Sequence, residues 1–167
     1  MPIRVPDNLP ALKALHAESV DIITQKQAVR QDIRPLRLLL LNLMPKKRDT
    51  EIQFARLFGN TPLQVEMILM TTASYTPQNT EPGYLRRFYR QLDDVRDDYF
   101  DALVVTGAPI ETLPFEDVKY WVELTEIMEW SREHCFRRLG VCWGAQALLW
   151  HFHKVQKHEL KAKLFGI

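Results

Sequence analysis

The chain has 167 residues, 46% of them hydrophobic and 26% charged, a balance that suits one globular core and excludes a disordered or fibrous polymer. Lys and Arg number 22 against 21 Asp and Glu, a net charge of +1, so no field of one sign draws the chain to nucleic acid or an anionic membrane. Two cysteines, Cys135 and Cys142, are too few for a disulfide framework, and neither a secretory start nor a membrane-length apolar run is present, so the cytoplasm is the expected location.

Pro2, Pro6 and Pro10, followed by mixed polar sequence, predict an irregular packed arm over residues 1–34 with one short helix around Pro10–Glu18. Leu36–Leu43 is a nearly continuous apolar run, too short for a typical buried helix, and predicts a strand covered on both faces. Asn42-Leu43-Met44-Pro45 breaks it. Thr50-Glu51-Ile52-Gln53 then offers a capping-box pattern ahead of Phe54, Leu57 and Phe58 at helical spacing, and Gly59-Asn60 closes that helix. Alternating Leu63, Val65, Met67 and Leu69 predict a second strand over Leu63–Met70. A loop rich in Thr, Ser, Pro and Asn follows from Thr71 to Gly83, long enough to cover a site.

Leu85, Phe88, Tyr89 and Leu92 sit at helical positions, and Asp101–Thr106 reads as a short strand closed by Gly107-Ala108-Pro109. From Phe115 to His134 the residues Val118, Trp121, Val122, Leu124, Ile127, Met128 and Trp130 fit a long amphipathic helix. Leu139–Val141 is the last expected strand and Trp143–Phe152 the helix after it, leaving a tail, His153–Ile167, rich in Lys and His. This alternation predicts an α/β fold in one unit, a mostly parallel sheet with helices on both faces. Ligands in such sheets bind at the carboxyl ends of the strands.

Gly140-Val141-Cys142-Trp143-Gly144 follows an apolar stretch and opens a helix, the strand–turn–helix setting of a nucleophile elbow with Cys in place of Ser. A tight turn there presents the side chain above the sheet, the glycines admit neighbouring backbone, and the helix N-terminus favours negative charge on the sulfur. The alternative for Cys142 is a small buried hydrophobe at a strand end. For Cys135 that structural reading carries most of the weight. Thr106-Gly107-Ala108-Pro109 could bring a backbone N–H beside Cys142 as an oxyanion donor, or be an ordinary turn. Of the histidines, His151 and His153 follow Cys142 on the same helix, roughly 13 Å or more along at about 1.5 Å per residue, and are poor general bases. No spacing suggests a metal site or a phosphate loop.

Met1-Pro2-Ile3-Arg4-Val5-Pro6, Asn42-Leu43-Met44-Pro45-Lys46-Lys47, Thr50-Glu51, Pro62-Leu63-Gln64-Val65, Phe88-Tyr89, Thr106-Gly107-Ala108-Pro109, Tyr120-Trp121 and Cys142-Trp143 together resemble the homoserine O-acyltransferases of methionine biosynthesis, from end to end of the chain. The resemblance implies a flavodoxin-like, class I glutamine amidotransferase-like three-layer sandwich. It also implies a ping-pong reaction: Cys142 takes the acyl group of an acyl-CoA as a thioester, with Gly107, Ala108 and Trp143 supplying backbone donors, and the homoserine hydroxyl then accepts it. In the family the general-base histidine and its glutamate lie beyond the point where this chain ends, so a chain truncated at its C-terminus is expected.

Lys163 matches a position that holds the amino-acid substrate, and Lys47 resembles a lysine near the active site; solvated tail and turn lysines are their respective alternatives. Relatives with Glu at position 111 use acetyl-CoA and those with Gly use succinyl-CoA. Glu111 therefore predicts acetyl transfer, because a carboxylate there repels a succinyl carboxylate and narrows the pocket. Acetyl-CoA and L-homoserine are the expected substrates, with no cofactor and a possible homodimer. Homoserine O-succinyltransferase, serine O-acetyltransferase, a non-catalytic binding module and, last, an amidotransferase-type hydrolase are the competing readings.

Overall fold

Three consecutive leucines, Leu39, Leu40 and Leu41, are wholly buried, which requires cover on both sides of their strand. A computed structural model describes residues 3–20, 22–28, 34–75 and 80–162 of the protein and shows where that cover comes from. In chain order the elements are β1 (Ile3–Val5), α1 (Ala11–Ala17), β2 (Ile22–Thr24), α2 (Gln25–Ala28), β3 (Leu36–Leu41), α3 (Lys47–Gly59) and β4 (Val65–Met70). They continue as α4 (Pro82–Phe88), β5 (Tyr89–Arg90), α5 (Leu92–Val95), β6 (Phe100–Val105), a 3₁₀ turn (Phe115–Asp117), α6 (Trp121–His134), β7 (Cys135–Gly140) and α7 (Trp143–His153).

The strands form one sheet ordered β2-β1-β4-β3-β6-β7, with β5 pairing the end of β4, and every pairing is parallel. Alternate side chains divide between two cores. Leu39, Leu41, Leu103 and Val105 point to the side packed with Leu124, Ile127, Met128 and Ala147 of α6 and α7. Leu40, Val104, Met67 and Leu69 point to the side packed with Leu15, Phe54, Ala55 and Phe88 of α1, α3 and α4. Helix, sheet and helix make the three-layer, flavodoxin-like sandwich. Burying each such side chain contributes about 1.5–3 kcal/mol before entropy is counted, so the central strands β3 and β6 anchor the unit. The chain leaves β3 toward β4 on one side and returns to place β6 on the other, and a crevice opens at such a reversal, at the strands' carboxyl ends.

Several expectations need correction. The described part of the expected arm, residues 3–20 and 22–28, is not irregular: Ile3–Val5 pairs with both Ile22–Thr24 and β4, so short strands widen the sheet. Thr50 does not cap a helix, because α3 starts three residues earlier, and Glu51 lies inside it. The helix expected through Leu92 stops at Phe88, and Tyr89 turns into a strand. Instead of one helix from Phe115, a 3₁₀ turn is separated from α6 by extended Val118. Finally, β7 begins at Cys135 and ends at Gly140; its Phe136, Arg137, Arg138 and Leu139 are exposed on the sheet's edge and so show no apolar pattern.

Candidate active site

Backbone packing forces the turn after β7. A Cβ on Gly140 would lie 2.4 Å from Ala145 Cα, and one on Gly144 would lie 2.5 Å from the carbonyl oxygens of Val105 and Thr106. Two glycines therefore let α7 start directly against the end of β6. Between them Cys142 adopts φ 51° and ψ −123°, a conformation that costs a non-glycine residue about 1–3 kcal/mol and persists only where surrounding packing holds it. The turn leaves Cys142 exposed while Trp143 behind it is buried. As the first residue of α7, Trp143 has a backbone N–H with no intrahelical acceptor.

The loop after β6 closes on the same point. Thr106 N–H donates to Leu41 O, its Oγ1 accepts from Leu43 N–H at 2.8 Å, and Val141 N–H donates to Val105 O. Held this way, Gly107 approaches so closely that a Cβ on it would sit 3.1 Å from Cys142 Cβ and 3.9 Å from Cys142 Sγ. The structure thus brings Gly107, Ala108, Cys142 and Trp143 together: a thiol flanked by backbone at a helix start, an arrangement able to attack a carbonyl and meet the charge that develops on its oxygen.

Beside them lies a cavity of about 310 Å³, walled by Met44, Lys47, Thr72, Tyr75, Ala108 and Tyr120 among others. Its walls come from the loops after β3, β4 and β6, at the crevice where the chain reverses. Ala108, next to the Gly107 that packs on Cys142, is one of its walls, whereas Cys142 itself does not line it. One wall is fixed from α6, where Glu123 accepts from Ala73 N–H at 2.6 Å and Ser74 N–H at 2.7 Å.

Lys47 is not a solvated turn lysine. It is 3% exposed, its Nζ donates to Asn42 O, and it lies 5.7 Å over the Tyr89 ring. Burial pushes its pKa down to about 8, opposed by the nearby Glu51 carboxylate. Glu51 is fully buried and accepts from Tyr84 OH and Tyr89 OH, each at 2.6 Å. Burial raises its pKa, and the two hydroxyls oppose that rise. Asn42 completes the set by donating from Nδ2 to Tyr89 OH at 2.9 Å. The Thr50-Glu51 pair was legible in the sequence only as a helix-start pattern, which hid this network.

Glu111 is exposed in the loop after β6, whose Ile110 and Leu113 reach the cavity. Lys157 donates from Nζ to Glu111 O at 2.7 Å and also to Leu113 O. The expectation for Lys163 lies outside the described residues. Cys135 is buried, and burial pushes its thiol up to about 12. Among the described residues no histidine hydrogen-bonds Cys142: His134 Nδ1 meets Asp98 O, and His151 Nε2 meets Glu129. Nor, among them, is any helix long and apolar enough to cross a membrane, or any group of His, Cys, Asp and Glu arranged to hold a metal ion.

The chain is similar over its whole length to known proteins. The chain is 55% identical over all its 167 residues to a homoserine O-acetyltransferase of Synechococcus elongatus, covering 56% of that protein. It is 53% identical to one of Thermotoga neapolitana and 52% identical to one of Novosphingobium aromaticivorans, covering 55% and 56% of them. The chain spans about half the length of the curated relatives it matches. Residues 2–167 match the family described as homoserine O-succinyltransferase, and on that match and these identities the chain belongs to the homoserine O-succinyltransferase family.

Proposed function

We propose that the protein is a homoserine O-acetyltransferase acting in the cytoplasm, in which Cys142 carries the acetyl group between acetyl-CoA and L-homoserine. The observation that carries this reading is the strained elbow, which exposes Cys142 at a helix start with Gly107 packed against it. In the first half-reaction the Cys142 sulfur attacks the thioester carbonyl of acetyl-CoA. The oxyanion forms beside Trp143 N–H and the backbone of Gly107 and Ala108; collapse breaks the carbon–sulfur bond to CoA, whose thiolate leaves and takes up the proton lost by Cys142. In the second, the homoserine hydroxyl attacks the Cys142 thioester, loses its proton to a base, and departs as the acetyl ester while the thiol is restored. No other cofactor enters. None of the described histidines is assigned as that base.

Lys47 lines the cavity and is proposed to contact substrate there, as is Lys163. Glu111 is proposed to favour acetyl over succinyl, in keeping with relatives named homoserine O-acetyltransferase. Homodimers are proposed to form through the open edge of β7, where Phe136 and Leu139 are exposed.

Intact mass after incubation with acetyl-CoA tests the reading. The expected result is one acetyl adduct, absent in Cys142→Ser. A folded chain that takes up no acetyl group, or an adduct that survives in Cys142→Ser, overturns it.

A further inference from the structure

The Lys47–Glu51 network is larger than contact between one lysine and a ligand requires. Glu51 lies one helical turn after Lys47 on α3, so the two share a face. A buried carboxylate packs no better than a leucine and carries a desolvation cost. Its charge is therefore the feature to explain. Each Glu51 oxygen accepts one tyrosine hydroxyl. Asn42 Nδ2 donates to the Tyr89 oxygen, which directs the Tyr89 proton to Glu51 and leaves the acid its negative charge.

Tyr89 touches both groups: its hydroxyl donates to Glu51, and the Lys47 ammonium lies 5.7 Å from the centre of its ring. Lys47 Nζ has three protons, and one is taken by Asn42 O. The groups that face it or Glu51 are Glu51 and Arg48 of α3, Tyr84 of α4 and Tyr89 of β5, with Arg48 4.6 Å over the Tyr84 ring. Lys47 also lines the cavity, and the Asn42 carbonyl is the one acceptor its ammonium meets among the described hydrogen bonds.

We infer that Glu51 is a positioning residue which, through Tyr89 and with Tyr84, keeps the buried Lys47 ammonium charged and fixed at the cavity wall for an anionic group of the ligand. The inference rests on the reading that Lys47 contacts substrate. Two anions fit: the carboxylate of L-homoserine and the phosphates of acetyl-CoA.

The experiment follows the Lys47 Cε signal by NMR across pH in the full chain labelled with ¹³C-lysine, the signal assigned by its loss in Lys47→Arg. The wild-type midpoint is expected near 8. Removing the opposite charge by Glu51→Gln disfavours the ammonium, so the midpoint falls, by about 1–3 units for a close partner. Tyr84→Phe and Tyr89→Phe each weaken Glu51 as an anion and shift it the same way by less; they carry the test if Glu51→Gln fails to fold. A merely structural Glu51 would leave the midpoint unmoved in every folded variant, and that result overturns the inference while sparing the substrate contact.

L-homoserine and acetyl-CoA, added separately, show which anion reaches Lys47 by moving its signal. If neither moves it, the reading of Lys47 as a ligand contact falls, and the inference falls with it.

Discussion

A methyl group added at position 144 has nowhere to go, since the atoms it would meet at 2.5 Å are the main-chain oxygens of Val105 and Thr106 rather than side chains that could rotate. Gly144→Ala must therefore move the start of α7 away from the sheet, an overpacking that costs typically about 1–3 kcal/mol. At roughly 2–4 °C per kcal/mol for a chain of this size, the melting temperature falls by about 2–12 °C. Under the proposed function acetyl loading of Cys142 falls further than the melt alone accounts for, because the displaced helix start also misplaces Trp143 N–H; thermal unfolding and intact mass on the same sample separate the two losses. Near-wild-type loading in a destabilised Gly144→Ala would show that the turn's tightness serves stability only. The elbow was legible in the sequence because its chemistry is local: flanking glycines, a cysteine and a helix start within five residues. Glu51 was not legible in the same way. Its partners Tyr84 and Tyr89 are more than thirty positions away, and a Thr-Glu pair near a helix start fits capping equally well.

Between strand and helix, the loop after β6 is held by a segment far along the chain. Lys157, in the irregular stretch after α7, donates to the carbonyls of Glu111 and Leu113 and sits 4.6 Å over the Phe115 ring. That strap fixes the backbone carrying Glu111, so two variants should converge on one property. Under the proposed function Glu111→Gly admits succinyl-CoA, giving a succinyl adduct on Cys142 that the parent chain does not form. Lys157→Met leaves Glu111 in place but frees its loop, and the acetyl-to-succinyl ratio is expected to fall by about tenfold, the equivalent of about 1.4 kcal/mol. Intact mass with the two acyl-CoAs in competition measures both. An unchanged ratio in Lys157→Met would mean that the loop needs no strap, and an absent succinyl adduct in Glu111→Gly would remove the role given to the carboxylate. The central strands β3, β4 and β6 were legible from their apolar runs or alternation, as burial dictates. The boundaries around Phe88, Tyr89 and Val118 were not, because apolar residues at helical spacing there serve a turn or a strand end instead.

Across the whole molecule the two edges of the sheet differ. β2 at one edge has a buried centre, whereas β7 at the other turns Phe136, 73% exposed, and Leu139, 53% exposed, toward solvent. A strand edge with apolar side chains and no partner among the described residues, as β7 has on the side away from β6, is a template for another strand. Between those side chains stand Arg137, 4.2 Å over the Phe136 ring, and Arg138, 5.5 Å over the Phe152 ring. Two copies meeting through β7 would bring four guanidinium groups together while burying the apolar residues beside them. Repulsion opposes such a dimer and burial favours it, and salt acts on only one of these. At about 0.1 M ionic strength exposed charges are felt over about 10 Å, and at 1 M over about 3 Å. Self-association measured by sedimentation velocity should therefore strengthen as salt is raised, opposite to the response of an interface held by ion pairs. Phe136→Lys, which removes apolar area and adds charge on the same strand, should return the chain to monomer at every salt concentration. Dimers that weaken with salt, or that survive Phe136→Lys, would place the contact elsewhere on the surface and leave β7 as an edge that its arginines keep single.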